Sequence, residues 1–111
     1  MAQWLFPEVE RAEAERALFE ALRGLSPFSA WPDDEIESAA AAVIDADMAF
    51  IQASGSDQGE VYDEVAAFKA IRQALKQVLG HRSGRQLGEL TEYATEAWEA
   101  YLDAVGVIDW E

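Results

Sequence analysis

The chain has 111 residues, half of them hydrophobic, and its 22 acidic residues against eight basic ones give a formal net charge of −14. This length suits one domain with one core, and the hydrophobic content excludes an acidic disordered segment, which could not bury enough apolar surface to fold. The negative charge argues against direct binding to nucleic acids or anionic membranes, because both would be repelled.

The chain also lacks the sequence features of secreted and membrane proteins. It has no cysteine, which excludes disulfides and thiolate metal sites and suits a reducing compartment. No apolar run approaches the roughly 20 residues that span a bilayer, and the first residues lack the basic start of a secretory signal. We therefore expect a soluble, cytoplasmic protein.

The distribution of turn and helix-forming residues predicts four helices. Alanine is abundant, and turn residues such as Gly24 recur at regular intervals. Asp57 with Glu60, and Ser83 with Gln86, have the spacing of capping boxes before helices three and four. Because the later links are short, we predict an all-α antiparallel up-down four-helix bundle. The domain spans residues 1–111, and its helices lie at about 8–23, 33–54, 58–79 and 84–105.

Helix two carries an acid, Asp47, near the centre of its apolar face. An unpaired carboxylate there would be costly or would take up a proton. Arg11 of helix one lies at the same level along the bundle and is the expected partner of Asp47. Glu15 and Glu64 face the same region. Two interpretations stay open: an ion-pair network that fixes helix register, or a Mg²⁺ or Mn²⁺ site formed by Glu15, Asp47 and Glu64. We favour the network, because the only histidine, His81, falls in a loop.

A second set of acids has a spacing known from enzymes. Asp34-x-x-Glu37 followed by Glu60-x-x-Asp63 resembles the acidic pairs of the all-α nucleotide pyrophosphohydrolases of the MazG type. The resemblance covers these four positions and implies a metal-dependent hydrolase. An antiparallel pairing of helices two and three would place the two pairs at opposite ends, where all four acids suit the first turns of their helices.

Residues 69–85 contain five of the eight basic residues and no acid. Three of the five, Lys69, Arg72 and Lys76, share one flank of helix three, and counting from the turn places them level with acids of helix four. The expected ion pairs are Lys69 with Glu96, Arg72 with Glu92, and Lys76 with Glu89. These pairs would leave Arg82 and Arg85 as the free basic residues of the window.

Helix four is amphipathic, with Glu89, Glu92, Glu96 and Glu99 on the side opposite its apolar residues. In acidity, and in the acid-and-aromatic segment 90–105, the chain is loosely similar to phage antirestriction proteins that imitate DNA and to acidic immunity proteins that plug basic nucleases. We predict a non-enzymatic protein-interaction module, of inhibitor or immunity type, that binds a basic protein through these four acids. The alternative is a metal-binding bundle or a pyrophosphohydrolase-like enzyme.

Both ends of the chain are unusually apolar. Residues 4–6 are Trp-Leu-Phe, and Val107, Ile108 and Trp110 follow the last predicted helix. They either cap the ends of the bundle or form an apolar patch that pairs two subunits, so a homodimer is a further hypothesis.

Overall fold

The protein is all-α. A computed structural model describes residues 9–26, 28–54 and 63–105, and the regular structure in these ranges is helical throughout. The four long helices are α1 (Arg11–Arg23), α2 (Asp33–Ser54), α3 (Glu64–Val78) and α4 (Gly84–Ala104), with a short 3-10 turn at Phe28–Ala30. The predicted all-α class and the number of helices are confirmed. Two helix starts differ from the predicted ones: α1 begins at Arg11 and not near residue 8, and α3 begins at Glu64 and not near residue 58, because Glu10 and Asp63 are extended. Asp57 and Glu60, predicted to cap helix three, and the apolar ends of the chain lie outside the described residues.

Two helix starts are stabilised by side chains that accept hydrogen bonds from exposed amides. The Ser83 hydroxyl accepts from the Gln86 amide at 3.1 Å, and the Gln86 side chain accepts from the Ser83 amide at 3.0 Å. This is the capping box predicted for α4. At α3 the Asp63 carboxylate accepts from the amides of Val65 and Ala66, each at 3.1 Å. A cap of this kind contributes about 1 kcal/mol.

The four helices surround one apolar core. α1 packs against α2 and α4, α3 packs against the same two helices, and α2 also contacts α4. None of the described helices combines the length and hydropathy needed to cross a membrane. The larger buried side chains of the core include Leu18, Leu22, Ile36, Ile44, Met48, Ile71, Leu75, Leu90 and Trp98.

The buried acid of α2 is held by a tryptophan of α4. Trp98 donates its indole N–H to the Asp47 carboxylate at 2.8 Å, and the two residues are only 1% and 3% exposed. The partner expected for Asp47, Arg11, instead lies 2.7 Å from Asp45 and 3.0 Å from Glu15. Asp45 is half-buried, so forming the ion pair there removes less charge from water than it would at the buried Asp47.

One end of the bundle is joined by an ion pair between distant parts of the chain. Arg82, in the turn between α3 and α4, donates to both carboxylate oxygens of Glu35 in the first turn of α2, at 3.1 and 2.8 Å. His81 Nε2 lies 2.6 Å from the same carboxylate. The hydrogen bonds from Arg82 are the main cause that lowers the pKa of Glu35, and the contact with His81 adds to them.

The same arginine is also covered by an aromatic side chain, which packs against a further aromatic ring. The Arg82 guanidinium lies 3.8 Å from the ring centroid of Trp31, a cation–π contact. Phe28 packs edge-on against Trp31 at 5.2 Å and against Tyr93 of α4 at 5.7 Å between centroids. Arg82, which was expected to be free, is therefore among the most tightly held basic residues that the structure describes.

The Glu35 carboxylate should stabilise the fold in a pH-dependent way. Its pKa is lower in the folded state than in the unfolded chain, so the stabilisation is present above the unfolded pKa and is lost as the pH falls through the folded one. We expect Glu35→Gln to lower the free energy of unfolding at pH 7 by about 1–2 kcal/mol. Urea unfolding at pH 7 and at pH 3 would measure the change.

The matched control is Glu37→Gln, which removes an exposed acid two residues further along the same helix. We expect it to change stability by less than about 0.5 kcal/mol. Equal losses in both variants, or a Glu35→Gln loss that is as large at pH 3 as at pH 7, would contradict the role given to the Glu35 and Arg82 pair.

Candidate functional site

The acids of α4 form a continuous strip on its outer side. Glu89, Glu92, Glu96 and Glu99 follow one another at intervals of three and four residues, which places them on one side of the helix. Leu87, Leu90, Ala94, Trp98 and Leu102 lie on the opposite side and are buried. Glu92 and Glu96 are exposed, whereas Glu89 and Glu99 are half-buried. We call these four residues the α4 acidic face.

Little positive charge from the described part of the chain reaches this face. Glu89 lies 3.6 Å from Arg85, but the arginine side chain is 90% exposed, so the pair contributes at most about 0.5 kcal/mol. Within residues 9–26, 28–54 and 63–105, neither Glu92 nor Glu96 has a cation within ion-pair distance. The face therefore presents uncompensated carboxylates to the solvent.

The ion pairs predicted between helices three and four are wrong for the described residues. Lys69, Arg72 and Lys76 form no ion pair there. Their side chains line a groove that meets α4 only at its first turns, at Gly84 and Leu87. The acids of α4 lie on its outer side, away from that groove. Matching positions along the two helix axes was therefore not sufficient to predict the ion pairs. The rotation of each helix about its axis separates the two sets of charges.

Glu99 lies closest to the interior among the acids of this face. Burial is the main cause that raises its pKa, and the negative charges of Glu64, Asp47 and Glu96 raise it further. Glu99, at one end of the α4 acidic face, is thus within electrostatic range of carboxylates on α2, α3 and α4. Repulsion from these carboxylates favours the protonated form of Glu99.

Two of the three residues proposed from sequence as metal ligands, Glu15 and Asp47, have other partners. Glu15 accepts a hydrogen bond from Arg11, Asp47 accepts one from Trp98, and Glu64 is exposed in the first turn of α3. In the part of the chain that the structure describes, no group of three His, Cys, Asp or Glu side chains could hold a metal ion. The structure does not bring Glu15, Asp47 and Glu64 together into such a group.

The described acids of the pyrophosphohydrolase pattern lie at or close to helix starts. Asp34 lies in the first turn of α2, Glu37 follows it by one turn, and both are exposed. Asp63 is the N-cap of α3, where its carboxylate accepts two backbone hydrogen bonds. Glu60 lies outside the described residues. Asp63 therefore has a structural role as the N-cap of α3.

A basic groove lies between α3 and the start of α4. It has a volume of about 570 Å³. Its lining includes Lys69, Arg72, Lys76 and Gln73, together with residues of the following turn and of the first turns of α4. Arg72 donates a hydrogen bond to the Gly84 carbonyl at 3.4 Å. We call this feature the α3 basic groove; its sequence signal is the absence of acids from residues 69–85.

Comparison of the chain with protein families, with curated proteins and with solved structures gives no match.

Ionisation of Glu99 should destabilise the fold. Because its pKa is raised in the folded state, stability falls as the pH rises through that pKa, and it recovers on acidification. We expect Glu99→Gln to raise the melting temperature at pH 8 by about 2–4 °C, which corresponds to ~0.5 kcal/mol in a domain of this size. The gain should disappear at pH 3, where the wild-type side chain is protonated. Thermal unfolding followed by circular dichroism would measure it.

Glu92→Gln removes an exposed carboxylate from the same face and serves as the control. We expect its effect on the melting temperature to be smaller at either pH. A gain of equal size in both variants would mean that overall charge, and not the surroundings of Glu99, sets the effect.

Proposed function

We propose that this protein is a non-enzymatic interaction module that binds a basic protein surface through the α4 acidic face. The observation that carries the proposal is the exposure of Glu92 and Glu96 without a compensating cation in the described residues. An acidic surface whose charges are already paired with cations of the same chain would attract a basic partner only weakly. The carboxylates of Glu92 and Glu96 are not paired in this way within the described part of the chain.

The spacing of the acids favours a partner that normally binds a polyanion. Successive carboxylates of the face are three or four residues apart, which corresponds to about 5 Å along the helix axis. A row of negative charges at this spacing can occupy the place of phosphates on a protein that binds nucleic acid. This arrangement supports the proposal of an inhibitor or immunity-type role, in which the chain blocks such a surface.

The charge of the whole chain supports the same role. A net charge of −14 draws a basic partner in from a distance and accelerates encounter, while it repels nucleic acids themselves. The proposal includes an antiparallel up-down order of the four helices, supported by the short connection between α3 and α4. It also includes a cytoplasmic location, for which the absence of cysteine is the support.

Charge reversal on α4 tests the proposal. The double variant Glu92→Lys with Glu96→Lys would be compared with wild type as bait for quantitative affinity capture from the native host. The control is Asp34→Lys with Glu37→Lys, which makes the same change in net charge at exposed positions of α2. We expect basic proteins to be enriched by wild type and by the control, and lost at least tenfold by the α4 variant.

The purified partner should then bind wild type with an affinity that falls steeply with salt, because exposed charges are screened beyond about 10 Å at 0.1 M ionic strength. Capture that survives reversal of Glu92 and Glu96, or that is lost equally in the α2 control, would overturn the proposed interface.

A further inference from the structure

Three basic residues of α3 differ from all the others in the chain. Five basic side chains, Arg11, Arg16, Arg23, Arg82 and Arg85, each form an ion pair with an acid. The remaining three, Lys69, Arg72 and Lys76, form none with the described residues. With 22 acids against eight bases, a cation in this chain can readily find an acidic neighbour. The three cations on α3 are therefore an exception to this pairing, and they lie together on one helix.

The three cations also lie close to one another. Lys69 is followed by Arg72 three residues later and by Lys76 four residues after that, so each is next to another on the helix surface. Each pair of like charges at this spacing destabilises a helix by roughly 0.2–0.5 kcal/mol. A bound anion would convert this repulsion into attraction. The cluster is thus better suited to a ligand than to the stability of the free protein.

The groove beside these residues has the size and the donors of an anion site. Its volume of about 570 Å³ lies within the range of about 300–1,000 Å³ typical of small-molecule sites. Gln73 adds an amide to the lining, and Gly84 brings in the first turn of α4, where the helix dipole is positive. The hydrogen bond from Arg72 to the Gly84 carbonyl connects the guanidinium to this wall.

Arg82 also lines the groove, but its charge is largely neutralised there. Both oxygens of Glu35 accept hydrogen bonds from its guanidinium, which also lies on the ring of Trp31. The cations left for a ligand are therefore the three on α3. Lys69 and Lys76 are separated by about 10 Å along the helix axis, which is more than one phosphate group can bridge closely.

We propose that the α3 basic groove binds a small oligophosphate, that is, a ligand with two or more linked phosphate groups. Several linked anionic groups match several cations spread over two helical turns. Arg72 can bind a phosphate through two parallel hydrogen bonds, while Lys69 and Lys76 act as mobile point charges. Long polyanions are disfavoured, because a chain of net charge −14 would repel everything that extends beyond the groove.

Isothermal titration calorimetry with inorganic tripolyphosphate tests the proposal on the full chain. We expect saturable binding at one site, and weaker binding of orthophosphate. The variant Lys69→Gln with Lys76→Gln should weaken tripolyphosphate binding at least tenfold. The control, Arg16→Gln with Arg85→Gln, makes the same change in net charge outside the groove and should alter binding less than about twofold.

Thermal unfolding checks that the groove variant remains folded. Both lysines are exposed, and their removal relieves repulsion, so we expect an unchanged or slightly higher melting temperature. Tripolyphosphate should raise the melting temperature of wild type and of the Arg16 and Arg85 control, and have little effect on the Lys69 and Lys76 variant.

Three outcomes would overturn the oligophosphate site. They are no binding at millimolar tripolyphosphate, equal weakening in the groove variant and the control, and tighter binding of a peptide of residues 88–104 than of tripolyphosphate. The last result would assign the groove to an acidic helix of a second copy of the chain. The variant Glu92→Lys with Glu96→Lys leaves the groove residues intact and should retain tripolyphosphate binding, so this site is tested independently of the α4 acidic face.

Discussion

The ion pair between Glu35 and Arg82 is the contact on which the arrangement of one whole end of the bundle depends. It joins the first turn of α2 to the turn between α3 and α4, and it is covered by Trp31, which follows the 3-10 turn after α1. Both side chains are mostly buried, at 14% and 19% exposed, so the charges are less screened than those of a surface pair. The turn that joins α3 to α4 is thereby held against the start of α2, and residues of this turn line the α3 basic groove.

A buried carboxylate performs a similar task inside the core. Trp98 of α4 donates to Asp47 of α2, so two helices that contact each other across the bundle are connected by a polar contact as well as by apolar packing. Apolar packing alone tolerates sliding, whereas a hydrogen bond to a buried charge specifies one register. Because Trp98 faces inward, Glu92 and Glu96 on the other side of α4 face the solvent, and the core contact also orients the α4 acidic face.

Charge is unevenly distributed over the molecule, in two regions of opposite sign that do not neutralise each other. The α4 acidic face lies on the outer side of its helix, and the α3 basic groove meets the same helix only at its first turns. An exposed ion pair between them would gain little, since such pairs contribute at most about 1 kcal/mol. The two proposed uses, binding of a basic partner and binding of a small anion, therefore do not compete for the same residues.

The sequence by itself determined the features that act over a few residues. The Ser83 capping box, the four helices and the outward position of Glu92 and Glu96 follow from local spacing, because capping and amphipathicity are set within one or two turns. Only the tertiary structure decided which charges meet. Arg11 contacts Asp45 and Glu15, and Arg82 reaches Glu35 from 47 residues away. An ion pair needs its atoms within about 4 Å, and one residue along a helix moves a side chain by 1.5 Å and turns it by about 100°. Counting residues from a turn could not predict helix positions and rotations this accurately. The packing of the buried side chains sets them.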